Sequence, residues 1–294
     1  MSKTANDISS TDTGKNWSII IKPKASWFHI PIKDVWQYRD LLSVFVHRDF
    51  VAIYKQTILG PLWFLIQPIL TTITFVVVFG KVAKLPTEGA PPILFYMSAL
   101  TIWNYFSTCL NKTSITFTAN ARIFGKVYFP RLVAPISTVI INLLQFLIQL
   151  GVLIPVMVYY GFLGFQYEIN TATLLIPYIM IMVGLLALGL GLIISSLTVR
   201  YRDLVFLITF AIQLLMYATP VIYSLAFVKS KYKWIILANP ISGFVETFRV
   251  GLLGESTGVF DWGYIAYSSI STLILLLIGI FMFNKAEKNF MDII

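Results

Sequence analysis

The polar side chains embedded in the apolar parts of this chain are few, and their spacing limits the chemistry they could perform. Thr138, Asn142, Gln145 and Gln149 follow the spacing i, i+4, i+7, i+11, which places them on one face of a helix. Neutral groups in such a row either bond neighbouring helices or offer hydrogen bonds to an uncharged, hydroxyl-rich solute, and the sequence leaves both readings open. Thr209 and Gln213, four apart, extend the second reading. Tyr96, Ala99, Trp103 and Phe106 share another helical face, with Trp103 about ten residues, or ~15 Å, into its apolar stretch. Rings at that depth stack on sugars or pack against lipid and neighbouring helices. Asn239-Pro240 has the form of a helix start, an N-cap followed by a proline at the first turn. Glu246 and Arg249 follow it in the apolar segment 241–253, spaced as a local ion pair or as a site.

Several chemistries are excluded. No GxxxxGK[ST] phosphate loop exists, since Gly125-Lys126 lacks both the earlier glycine and the following Ser/Thr; HExxH and GxSxG are also missing. Cys109 is the only cysteine, so neither an internal disulfide nor a cysteine-based zinc cluster can form. The two histidines, His29 and His47, both fall in the polar N-terminal stretch. Neither a metal site nor a resident cofactor is therefore expected in this chain.

The elements that must position these residues follow from composition. Of 294 residues 57% are hydrophobic and 12% charged, with a mean hydropathy of +0.80. A soluble chain of this length cannot cover so much apolar side chain, so an integral membrane protein is expected. Six stretches carry no charge: Leu62–Gly80, Ile93–Leu110, Leu132–Tyr160, Thr173–Val199, Leu204–Tyr223 and Gly263–Phe283. Each is close to or beyond the roughly 20 residues that a helix needs to cross a ~30 Å hydrocarbon core. Continuous apolar runs favour helices over barrel strands. Pro68, Pro155, Pro177 and Pro220 are candidate kink points. The predicted fold is an all-α membrane domain of six transmembrane helices over 62–283.

Sixteen Lys/Arg fall on the side of the termini and six on the other, which puts both termini in the cytoplasm. Residues 1–33 are polar, interrupted by Pro23 and Pro31, lack the apolar core of a cleavable signal peptide and are expected to form a flexible tail. In 34–61, Val35, Tyr38, Leu42, Val46, Phe50 and Ile53 trace one helical stripe, and Gln37, Asp40, His47, Arg48 and Lys55 lie mostly opposite. Such a helix is predicted to lie along the inner membrane face as an amphipathic interface helix, the alternative being an ordinary cytosolic helix. The connection 111–131 carries Lys112, Arg122, Lys126 and Arg131 with no acid. It is either a positive-inside signal or a docking surface with Ile123, Phe124, Val127, Tyr128 and Phe129 as apolar anchors. Anionic lipid accounts for basic residues beside a membrane, so nucleic acid is not expected as a partner. Outside, 224–262 is the longest connection, and Ile241–Leu253 is predicted to be a re-entrant or interfacial helix. Residues 284–294 form a second cytoplasmic tail.

Three stretches together resemble a known family. They are Leu41-Leu42-Ser43-Val44-Phe45-Val46-His47-Arg48-Asp49 with Tyr54-Lys55 through Gly60-Pro61-Leu62-Trp63 and Gln67-Pro68; Val199-Arg200-Tyr201-Arg202-Asp203-Leu204 with Ala218-Thr219-Pro220-Val221-Ile222-Tyr223; and Asn239-Pro240 through Glu246-Thr247-Phe248-Arg249. Their order and spacing resemble the permease subunits of ATP-binding-cassette exporters of cell-surface polysaccharides, namely O-antigen, capsule and teichoic acid. Ile53 departs from the family, which often has a basic residue there.

The resemblance implies a non-enzymatic transport subunit of the bacterial inner membrane. It implies a homodimer working with two ATPase subunits that hold ATP and Mg, and an undecaprenyl-diphosphate-linked glycan as cargo. It assigns coupling to the ATPase to Arg122, Phe124, Lys126, Tyr128 and Arg131, with Arg200, Arg202, Asp203, Arg48 and Lys55 on the same side. It places an outer gate at Asn239, Pro240, Glu246 and Arg249 and implies a glycan channel along the dimer axis, which the polar and aromatic positions Tyr96, Trp103, Thr138, Asn142, Gln145, Gln149 and Gln213 would fit. A membrane enzyme acting on lipid-linked sugars, or an exporter of another substrate, is the competing expectation.

Overall fold

The computed structural model describes residues 32–55, 60–127, 129–201 and 203–290. The polar stretch 1–31 lies outside the described residues, within which every regular element is helical. In chain order these are α1 (Ile32–Gln37), α2 (Arg39–Lys55), α3 (Trp63–Phe75), α4 (Pro92–Ser114), α5 (Thr116–Ala119), α6 (Ala121–Phe124), α7 (Val133–Phe162), α8 (Thr171–Leu174), α9 (Ile176–Thr198), α10 (Leu204–Tyr217), α11 (Ser230–Leu237), α12 (Pro240–Leu253) and α13 (Trp262–Phe290). A π-helix, Val76–Val82, prolongs α3 without a break.

Five of these elements are long and apolar enough to cross a membrane: Leu65–Val82, Pro92–Ser114, Val133–Phe162, Ile176–Thr198 and Trp262–Glu287. The expected sixth span is the exception. α10 has 14 residues, which at 1.5 Å each reach about 21 Å. It stops at Tyr217 because Pro220 pushes the preceding residues away from helical geometry, and 218–229 continues as turns. α13 runs through Phe290, so the expected tail at 284 begins as helix.

α4 is the hub, with 78% of its apolar window buried against 6% for the α3 window. It packs between α7 and α9, and α9 packs along α13. Small residues let the α9 and α13 backbones approach closely: a Cβ at Gly189 would stand 2.7 Å from the Leu276 nitrogen, and one at Gly279 would meet the Gly189 carbonyl. Hydroxyls tie the helices further. Thr198 donates to the Ser114 carbonyl (3.1 Å), Tyr178 to the Ser269 hydroxyl (2.6 Å) and Thr173 to the Gly251 carbonyl (2.8 Å). Such bonds average about 0.6 kcal/mol each in a membrane.

The core has two parts. The larger surrounds α4, with Phe95, Tyr96, Phe106, Phe146 and Phe248 among its fully buried rings. The smaller lies toward the N-terminal helix, where Phe117 stacks on Phe283 (4.4 Å between centroids) and Phe45 meets Phe129 (5.6 Å). Val35, Tyr38, Leu41 and Leu42 pack on this second cluster, while Trp36, Arg39, Asp40, Ser43, His47 and Arg48 are exposed. The apolar stripe of α2 therefore seats on the protein itself, chiefly α7. Phe45→Ala should cost about 3 kcal/mol, in the usual range for an emptied aromatic core site. Accelerated proteolysis within 39–55, at unchanged membrane insertion, is the measurement that checks it.

Candidate functional site

Toward the end of the bundle opposite α2, α12 buries twelve of its fourteen residues, Glu246 and Arg249 among them. The expected pair exists: an Arg249 Nη2 donates to Glu246 Oε2. Both charges also hold backbone that no helix holds. Glu246 Oε1 accepts from the Leu225 amide (3.2 Å) and the Val259 amide (3.1 Å), and Arg249 Nη1 donates to the Pro220 carbonyl (2.9 Å). The guanidinium also stacks over Phe95, 4.3 Å from the ring centre. A buried charge is stable only when paired and hydrogen-bonded; both terminal nitrogens of Arg249 and both oxygens of Glu246 are bonded, while Arg249 Nε is buried without a partner among the described residues. The pair fixes the irregular stretch 218–225 against α12 and α4, a role that spacing alone did not reveal. Asn239 occupies the N-cap position with Pro240 after it, yet its side chain makes no capping bond. Its amide instead donates to the Thr219 hydroxyl (3.0 Å), another tie to the same stretch.

The residues expected along a path divide between two environments. Tyr96 and Trp103 are buried, Trp103 against Phe106 at 5.6 Å, so neither ring is open to a solute. On α7, Asn142 and Gln145 are buried, and Thr138 and Gln149 are half-buried. Asn142 donates to the Thr138 carbonyl (2.7 Å) and accepts from Lys112 Nζ (3.1 Å). Part of this face is thus spent on bonds within the protein. Gln213 is exposed on α10 beside Phe210 and Leu214.

A second polar strip, missed in the sequence, lies on α4. Asn104, Ser107, Thr108, Asn111 and Lys112 are exposed or half-buried, whereas Tyr105, Phe106, Cys109 and Leu110 between them are buried. The spacing i, i+3, i+4, i+7, i+8 puts the five on one face. It was legible, but Asn111 and Lys112 follow the charge-free stretch and so read as loop.

At the other end of the bundle the connection from α4 to α7 folds around aromatics. Phe124 is buried against Phe117 and Phe129, so the expected docking anchor instead secures the loop from within. Arg131 donates to the Glu287 carbonyl (2.8 Å) and lies over the Phe124 ring (5.6 Å). Arg122, Lys126 and Val127 are exposed, as are Arg200, Tyr201 and Asp203 after α9, and Arg48 and Lys55 on α2. Arg48 pairs with Asp49 at 2.7 Å. Tyr128 and Arg202 lie outside the described residues. Among the described residues there is no group of three or more His, Cys, Asp or Glu that could hold a metal.

The sequence profile of ABC-2 type transporters matches residues 40–253, from the start of α2 to the end of α12. The chain belongs to the ABC-2 type transporter family. The expected site residues fall within the matched part, whereas Val259 and Glu287, which bond to two of them, lie beyond it. The O-antigen export system permease protein RfbA of Klebsiella pneumoniae is 30% identical over 258 residues, 87% of this chain and 95% of that protein. The protein of the same name from Myxococcus xanthus is 27% identical over 221 residues, 74% of this chain and 82% of its own. The capsule polysaccharide export inner-membrane protein CtrC of Neisseria meningitidis is 18% identical over 263 residues, 85% of this chain and 92% of its own. Its place among ABC-2 transporters makes the exposed basic surface and the buried polar pair parts of a membrane-embedded transport subunit.

Proposed function

We propose that this chain is the membrane subunit of an ABC transporter that exports a lipid-linked, O-antigen-like polysaccharide across the bacterial inner membrane. The observation that carries the reading is its likeness, over nearly the whole of both chains, to O-antigen export permeases. ATP and Mg belong to a separate ATPase pair, in keeping with a sequence that has no phosphate-binding loop. The exposed basic positions Arg122 and Lys126, with Arg200, Arg202 and Asp203 nearby in function, form the coupling surface on the cytoplasmic side, together with Tyr128, Arg131, Arg48 and Lys55. Phe124 gives that surface its stiffness.

Two copies form the conduit. Gln213 supports this arrangement: its amide is exposed on the largely apolar α10 and has no partner among the described residues, whereas the Thr209 hydroxyl one turn earlier is satisfied by the Val205 carbonyl. Hydrocarbon is a poor cover for an open amide, and a second copy or a glycan path is a better one. In this reading α10 and the irregular stretch 218–225 together complete a sixth crossing. Both termini then stay cytoplasmic, and α11 and α12 form an outer, re-entrant gate around Asn239, Pro240, Glu246 and Arg249. The glycan passes along the dimer axis, near Thr138, Gln145, Gln149 and Gln213.

Reconstitution with the cognate ATPase tests the reading. The complex should raise its ATP turnover when an undecaprenyl-diphosphate-linked glycan is supplied. Arg122→Glu combined with Lys126→Glu should cut that stimulation roughly tenfold through charge reversal at the contact, leaving insertion intact. A complex indifferent to every such glycan would defeat the cargo assignment, and normal stimulation of the charge-reversed variant would defeat the coupling surface.

A further inference from the structure

The α4 strip ends on a cation with unfilled bonding capacity. Lys112 lies two residues, about 3 Å, before the end of the span Pro92–Ser114. Its residue is exposed, yet its ammonium is turned onto Asn142 Oδ1 at 3.1 Å. Asn142 is buried and cannot turn away, because its amide nitrogen is held by the Thr138 carbonyl at 2.7 Å. An ammonium has three donors, and among the described residues Lys112 makes this one hydrogen bond and no ion pair. Asp49, on α2 against the same helix α7, pairs directly with Arg48 at 2.7 Å and attracts the Lys112 ammonium only from beyond contact distance. Above Lys112, the side chains of Asn104, Thr108 and Asn111 likewise make no hydrogen bond within the protein among the described residues. A braced cation at the foot of an open row of amides and hydroxyls matches an anionic head followed by a polar, uncharged chain. Ionisable residues within a span mark the route of what the protein moves.

We propose that Lys112, braced by Asn142, is the seat for the phosphate of a polyisoprenyl diphosphate carrier, and that the α4 strip receives the sugars attached to it. The assignment rests on the reading of the cargo as lipid-linked. A lysine contacts phosphate as a point charge, so position and brace matter more than a fixed fork geometry. Asn142 is a positioning residue that acts through the lysine.

The test uses the complete transporter, both subunits, in detergent. Native mass spectrometry reads retention of two probes, undecaprenyl diphosphate and phosphatidylglycerol, alongside thermal melting of the same samples. Lys112→Gln should lower undecaprenyl diphosphate retention roughly tenfold or more, as loss of a charge-assisted hydrogen bond implies. Phosphatidylglycerol retention should not change, and Lys112→Arg should recover most of the loss. Should Lys112→Gln not assemble, Asn142→Leu keeps the charge, removes its brace and should show a smaller loss of the same selectivity. Undiminished retention in these variants overturns the seat, and so does an equal loss of both lipids, which marks an ordinary headgroup contact. A wild-type complex that retains undecaprenyl diphosphate no better than phosphatidylglycerol overturns the lipid-linked reading itself and the seat with it.

Discussion

Replacing Arg249 by leucine is expected to lower stability by about 3–5 kcal/mol, the usual consequence of stranding one charge of a buried pair. Glu246 would then lie fully enclosed without its counter-ion, and the Pro220 carbonyl would lose its donor. Glu246→Leu should be as severe, because it strands the guanidinium and frees the Leu225 and Val259 amides. The double leucine variant should cost less than the sum of the two, since no lone charge remains. It should not return to wild type, because each buried backbone group left unpaired costs about 1–3 kcal/mol. Thermal melting of the four proteins in one detergent closes the cycle. Single variants within about 1 kcal/mol of wild type would remove the pair from its role as anchor of the 218–225 stretch.

Gly189→Ala carries the second large effect. The added Cβ would sit 2.7 Å from the Leu276 nitrogen and 2.8 Å from its Cα, both backbone atoms that no rotamer change can move. α9 and α13 would have to separate, at a cost of about 1–3 kcal/mol for one methyl group, and leucine at 189 should abolish assembly. Gly151→Ala is the control: it also lies within a helix, and nothing stands within 4 Å of its Cβ position. There alanine should be neutral or gain about 0.5–1 kcal/mol from helix propensity. Equal melting of the two alanine variants would show that the close approach of α9 and α13 does not depend on glycine.

Hydropathy revealed the long helices because a span must be apolar for its whole length. It overran on α10 because Ala218 to Tyr223 are uncharged, and a window that counts charges cannot see the backbone break before Pro220. Residue type also left sidedness open. Trp103 lies within α4 and Phe124 within the α4–α7 connection, but an aromatic that waits for a partner has the same sequence as one that fills a core. The row Thr138, Asn142, Gln145 and Gln149 was legible from spacing. That Asn142 would be taken up by Lys112 was not, since the two are thirty residues apart and meet only when α4 packs on α7. Glu246 and Arg249 were paired correctly from their spacing, whereas their bonds to 220, 225 and 259 depend on chain geometry that no local pattern encodes.

The break after α10 also bears on how the protein is made. About 21 Å of helix is too short to settle stably in the bilayer unaided, and the irregular backbone behind it acquires its partners from Glu246 and Arg249, which leave the ribosome later. At about 5–20 residues per second the interval between residues 225 and 249 lasts a few seconds. Through that interval the nascent segment depends on the insertion machinery for shelter, and a stall there would hand it to quality control.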